Sequence, residues 1–131
     1  MLFRSRHPGR QVVALAGDGC FLMNGQELAT AVQYDAQLLV LVIDNGGYGT
    51  IRMHQEREFP GRVSGTALAN PDFTALGRAY GCWAETVTRT EDFAPALARA
   101  QAQRGVRLLH VRTDIEVITA GTTLSAVARR G

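Results

Sequence analysis

The sequence contains no lysine, and all 14 of its basic residues are arginine. That absence removes the phosphate loop G-x-x-x-x-G-K-[ST], whose lysine reaches the terminal phosphates, from the ways this chain could hold a nucleotide. An all-arginine basic set is a mark of GC-rich coding and not of a binding surface. The formal charge is only +2, with 12 acidic residues opposing the arginines, too near neutral for the electrostatic footprint of a nucleic-acid binder. Arg4, Arg6 and Arg10, clustered at the start, read as a solvated helix end. Cysteine is scarce. Cys20 and Cys82 show neither metal-ligand spacing nor a disulfide framework, so both are expected to be mostly buried thiols in a reducing compartment. No apolar run approaches the ~18–20 residues that cross a bilayer. The opening MLFRSRHPGR also lacks the apolar core of a signal peptide, so the expectation is a cytoplasmic protein with no membrane partner. No repeat, low-complexity tract or linker interrupts the chain, and 131 residues at 46% hydrophobic content suit one domain.

What is present is an alternation of apolar runs and helical stripes. Val12–Ala16 and the richer Leu38–Ile43 are β-branched and apolar, as strands buried on both faces are, and each ends in a glycine-bearing breaker. Between them Asn24 followed by Glu27 predicts a helix start, the Asn capping and the Glu reaching back, with Leu28, Val32 and Ala36 on one face. Strand, helix and strand in that order form a right-handed crossover between parallel strands. A second helix is predicted from an Asn70 cap, Pro71 in the first position and Asp72 beside the N-terminal dipole. It carries a stripe of Phe73, Leu76, Gly77 and Tyr80, and Gly81 ends it. Cys82–Val87 reads as a third strand, Thr90–Gln103 as a helix with Phe93, Leu97 and Ala100 inward and Pro95 near its first turn, and Val106–Thr113 as a fourth strand. The fold class is therefore α/β, with a mostly parallel sheet and helices on both faces, whose ligands bind beyond the carboxyl ends of the strands.

Two polar clusters fall at those ends: GDG at 17–19 and DNGGYG at 44–49. Asp18 and Asn45, each just past its strand, should emerge at one sheet edge, only ~5 Å apart if the strands are neighbours. A carboxylate and a carboxamide are hard oxygen donors, suited to Mg²⁺, which completes its octahedron readily with phosphate oxygens. Gly46, Gly47 and Gly49 let the backbone approach an anion and turn a carbonyl toward the metal. Tyr48 and Gly49 open a short helix whose dipole favours the anion. Other polar residues have plainer readings. His54 sits on a surface helix, His110 is a hydrogen-bonded sheet residue, Met23 and Met53 fill gaps, and Glu56 and Glu58 share a solvated helix face with Arg52 and Arg57.

The separation of Asp18 from Asn45, 27 residues, resembles that of the thiamine diphosphate enzymes, whose motif begins Gly-Asp-Gly and ends in Asn-Asn. The intervening NGQELATAVQY, the apolar strand after it and the terminal TTLSAV are similar to the acetolactate synthase and 2-oxo-acid decarboxylase branch. The resemblance implies that Asp18, the Asn45 side chain and the Gly47 carbonyl are metal ligands. It places Gly17, Gly19 and Cys20 beside the diphosphate, Cys20 standing where the family usually has Ser, and gives Tyr48 and Gly49 further cofactor contacts. Asp44 departs from the family's Asn, and its extra negative charge is unfavourable near a diphosphate unless it points away or is paired. In such enzymes thiamine diphosphate supplies the chemistry on a 2-oxo acid, acting as nucleophile and electron sink for loss of carbon dioxide. The glutamate that activates it belongs to a separate pyrimidine-binding domain, so no catalytic residue is expected in this chain. The resemblance further implies that residues 1–131 are the C-terminal diphosphate-binding domain, incomplete at its N-terminal edge, a fragment or subunit of a larger homo-oligomer. FAD, which some relatives retain, would sit in another domain. Two other readings are open: an α/β domain used only for association, and a different Mg-phosphate enzyme of Rossmann-like architecture, against which the lack of lysine counts.

Overall fold

The computed structural model describes His7 and residues 9–129. Four strands form one sheet in the order β1-β2-β4-β3: β1 (Val12–Gly17), β2 (Leu38–Asp44), β3 (Trp83–Val87) and β4 (Val106–Arg112). Every pairing in it is parallel, as expected of apolar strands joined by helical crossovers. The helices are α1 (Asp18–Asn24), α2 (Glu27–Gln33), α3 (Gly49–Glu58), α4 (Phe73–Ala79) and α5 (Thr90–Ala102). A small antiparallel hairpin, β5 (Val117–Thr119) with β6 (Thr122–Thr123), and the short α6 (Leu124–Ala128) close the described chain.

Alternation along the strands divides the core in two. Val40, Val42, Ala84 and Leu108 meet Phe21, Leu28 and Ala31 of α1 and α2 and Phe73 of α4 on one face. Leu39, Leu109 and Val87 meet Ala96 and Ala100 of α5 on the other, with Phe93 and Leu97 packed alongside. Helices thus cover both faces, as the sequence pattern predicts. Gly77 lets α4 come close, since a Cβ there would lie 3.3 Å from the Ala84 and Leu108 side chains.

Local expectations at the helix starts need correction. Asn24 does not cap a helix: α1 begins at Asp18, directly after β1, and Asn24 is its last residue. The helix that follows has Gln26 at its N-cap without a side-chain hydrogen bond. Cys20 is exposed and only Cys82 is buried. Met23 fills no gap, being exposed. Arg10 lies at a bend and not at a helix end, while Arg4 and Arg6 lie outside the described residues. Among the described residues, no helix is long and apolar enough to cross a membrane.

Candidate functional site

β1 and β2 run in register, Gly17 opposite Ile43, so the residues that follow each strand leave the sheet at the same edge. After β1 the chain enters α1 at once, and Asp18, its first residue, is only 3% exposed. After β2 it forms an open loop. Gly46 has φ +71°, a left-handed conformation that glycine adopts without steric penalty. Its N–H donates to Asp18 Oδ2 at 3.0 Å and to Asp44 Oδ1 at 3.0 Å. Asn45 Oδ1 accepts from the Gly47 N–H at 3.1 Å, the self-bonded turn that asparagine favours.

The residues singled out by sequence come together. Gly17, Asp18, Gly19, Cys20, Asn45, Gly47, Tyr48 and Gly49 line a single cleft of about 360 Å³ at the carboxyl ends of β1 and β2. Ile115, Val117 and Ile118 add an apolar wall; no motif marks them, and the sequence reading passed over them. Asp18 Oδ2 is taken by two donors, whereas Oδ1 accepts only from the adjacent Gly19 N–H, at 2.9 Å. The Asn45 amide oxygen and the Gly47 carbonyl each accept one backbone N–H, the latter from Gly49 at 3.0 Å. A second lone pair remains on each of these oxygens.

Carboxylate, carboxamide and carbonyl together are the donor set of a hard cation such as Mg²⁺. Among the described residues there is no group of three or more His, Cys, Asp or Glu side chains that could hold a metal. The glycines fit an anion beside that cation. A Cβ on Gly19 would lie 2.6 Å from Tyr48 Cε1, one on Gly47 2.8 Å from the Thr66 carbonyl oxygen, and one on Gly49 2.9 Å from Asn45 Nδ2. At these three positions a side chain would collide with its neighbours unless they moved, most severely at Gly47, where the neighbour is backbone.

Asp44 turns away from this cleft and is paired. Its Oδ2 lies 2.8 Å from His110 Nε2 on β4. Val42 is the register partner of His110, so Asp44, two residues on, is its diagonal neighbour on the same face. Burial raises the Asp44 pKa, but hydrogen bonds from His110, Asn70 and the Gly46 N–H outweigh it and hold the carboxyl below its usual range. His110 is the hydrogen-bonded sheet residue expected, and its ring packs edge-on against Phe73 at 5.2 Å. The unfavourable charge that Asp44 would bring to a diphosphate is thereby met by both conditions the sequence set for it.

Asn70 was expected as the cap of α4. Asp72 takes that role, its Oδ1 accepting from the Ala75 N–H at 3.0 Å. Asn70 belongs to the site. Its Nδ2 donates to Asp18 Oδ2 and to Asp44 Oδ1, each at 2.7 Å. It lies 52 residues from Asp18 in the chain, and no local spacing could have linked the two. Glu56 is likewise not on a solvated face; it is buried, bonded to Arg52 and accepting from the Gly61 N–H at 2.9 Å. Glu58 is exposed beside Arg57, as expected, and His54 is an exposed helix residue whose Nδ1 lies 2.8 Å from Arg57.

Comparison with known proteins gives a consistent picture. Residues 2–111 match the family described as thiamine pyrophosphate enzyme, C-terminal TPP-binding domain. The chain is 38% identical over 108 residues to the acetolactate synthase isozyme 2 large subunit of Escherichia coli, covering 82% of this chain and 20% of that one. It is 32% identical over 121 residues to the 3D-(3,5/4)-trihydroxycyclohexane-1,2-dione hydrolase of Bacillus licheniformis, covering 88% of this chain and 19% of that one. The crystal structure of benzoylformate decarboxylase from Polynucleobacter necessarius superposes with a TM-score of 0.77 at 29% identity, over 86% of this chain and 21% of that chain. The chain therefore spans about a fifth of the length of the curated relatives it matches. It belongs to the thiamine pyrophosphate enzyme family, as a C-terminal TPP-binding domain of the acetolactate synthase-like and 2-oxo-acid decarboxylase kind.

Proposed function

We propose that this chain holds the Mg-diphosphate end of thiamine diphosphate within a larger cytoplasmic enzyme that decarboxylates or ligates 2-oxo acids. The observation that carries the reading is the single cleft shared by Asp18, Asn45, Gly47 and the bare backbone around them. Asp18 Oδ1, the Asn45 amide oxygen and the Gly47 carbonyl would hold the cation. The backbone of Gly19 and Gly49 would lie against the diphosphate, with Cys20 and Tyr48 bordering it. A thiol at position 20 is a weaker donor than a hydroxyl, so backbone N–H groups carry more of that grip than the side chain does. When bound, thiamine diphosphate supplies the nucleophile and electron sink for the reaction. The chain's own contribution is to bind, orient and exclude water: Asp18 brings the one charge, and Ile115, Val117 and Ile118 close an apolar side. The proton chemistry that activates the cofactor is assigned to a glutamate of a pyrimidine-binding domain or subunit, in a homo-oligomer.

The test is calorimetric titration of the intact protein with thiamine diphosphate at fixed Mg²⁺. Binding is expected to require Mg²⁺. Asp18→Ala removes the charged donor and should weaken binding by more than the roughly 10–100-fold that loss of an outer metal partner costs. Mg²⁺-independent binding, or an Asp18→Ala protein that binds as the wild type does, overturns the reading and favours an α/β domain used for association alone.

A further inference from the structure

We propose that Asn70 is a positioning residue for Asp18: its amide, locked between Asp18 and the Asp44–His110 pair, fixes which carboxylate oxygen faces the cation. The inference rests on the reading of the cleft as a cation-diphosphate site.

The orientation of the amide is decided by chemistry. Asn70 Nδ2 lies 2.7 Å from two carboxylate oxygens; rotated by half a turn, the amide would press its own carbonyl oxygen against both. Two N–H groups facing two acceptors is the stable arrangement. It leaves Asn70 Oδ1 buried with no partner among the described residues, a cost that the two bonds to carboxylates offset.

The position is held from both sides. Asn70 stands two residues before the Asp72 cap of α4. The next residue, Phe73, is fully buried and packs edge-on against both His110 and Phe21, at 5.2 and 5.5 Å. Across the gap His110 Nε2 holds Asp44 Oδ2 at 2.8 Å, so Asp44, the second acceptor of the Asn70 amide, cannot swing away. Two carboxylates side by side repel; here the Asn70 amide and the Gly46 N–H donate to both of them. With Oδ2 pinned by these two donors, Asp18 presents Oδ1 to the cleft in one geometry. Without Asn70 the carboxylate keeps one backbone N–H on each oxygen, Gly46 on Oδ2 and Gly19 on Oδ1, but loses its side-chain brace and meets the cation in a less fixed orientation.

The intact protein is titrated with Mn²⁺, a probe for Mg²⁺, at saturating thiamine diphosphate, and free Mn²⁺ is read by electron paramagnetic resonance. Asn70→Ala is expected to raise the Mn²⁺ dissociation constant by about tenfold, the low end for loss of an outer partner of a metal ligand. Asn70→Ser, which keeps a small polar group before α4 and protects folding but cannot reach both carboxylates, should move it in the same direction. Asp72→Ala, which removes the helix cap and leaves the amide in place, should lower stability without changing Mn²⁺ affinity. Wild-type affinity in both Asn70 variants while Asp18→Ala abolishes binding overturns the positioning role and leaves the cleft reading standing. Equal weakening by Asp72→Ala overturns it as well, since the effect then belongs to the start of α4 and not to the amide. Unchanged affinity in Asp18→Ala overturns both.

Discussion

Burial under α4 pushes the Cys82 thiol up to about 11, so at neutral pH it is protonated as well as inaccessible. Cys20 is exposed and lines the cleft at the ends of β1 and β2. A disulfide-exchange reagent at pH 8 should therefore label one thiol per native chain and two after denaturation. Mg²⁺ with thiamine diphosphate should slow the first labelling in the intact protein; if Cys20 reacts at the same rate with and without them, the cofactor does not lie against it. Composition alone treated the two cysteines alike, because nothing in a count says which one follows a strand that ends in Gly-Asp-Gly. At this scale Asp18 and Asn45 were legible, since their chemistry is set by residue type and by the strands that precede them. Asn70 was not, because its partners come from β1 and β2 and are joined to it only by folding. The role of Asp44 needed His110, a diagonal neighbour on the adjacent strand that the sequence does not announce.

Elements were read more surely than their ends. All four strands of the main sheet were identified, because continuous apolar runs have few other uses, and α4 and α5 were found from their stripes. The starts of helices depend on which of several nearby polar residues caps, and there Asp72 outcompetes Asn70. Its carboxylate accepts from the Ala75 N–H, which lowers its pKa, with a smaller opposing effect of burial. Asp72→Ala removes the cap and should lower Tm by a few degrees. Because the carboxyl ionises more readily folded than unfolded, its stabilisation is present above the unfolded pKa and lost as pH falls through the folded one. The Tm difference between wild type and Asp72→Ala should accordingly shrink on acidification below 3.8, the ordinary value of an Asp carboxyl. A gap that persists unchanged in acid would place the loss in packing and not in the cap. The β5–β6 hairpin escaped the sequence reading for a different reason: its strands are two and three residues long, too short for a period to show.

At the scale of the whole molecule the sheet is unevenly covered. α5 packs on β3 and β4, and nothing among the described residues covers the same face at β1. Val13 and Leu15 point to that side and are 51% and 72% exposed, while Ala14 and Ala16, on the opposite side, pack against the core. Among the described residues β1 is also an edge strand, hydrogen-bonded only to β2. An apolar, unpaired edge of this kind pairs with another chain unless something covers it, and a net charge of +2 offers little repulsion to prevent it. The relatives are about four to five times as long as this chain, and on the function proposed above a further part of the enzyme would cover this edge. The 131-residue chain by itself is expected to self-associate in a concentration-dependent way and to bind thiamine diphosphate weakly. Leu15→Glu puts a charge on the most exposed apolar residue of the strand and should shift the chain toward monomer in sedimentation velocity. Cofactor affinity should stay weak in that variant, because removing association adds no contact to the cofactor. Monomeric behaviour of the unmodified chain at high concentration would show the edge to be inert, and tight cofactor binding by that monomer would show the cleft to be sufficient by itself.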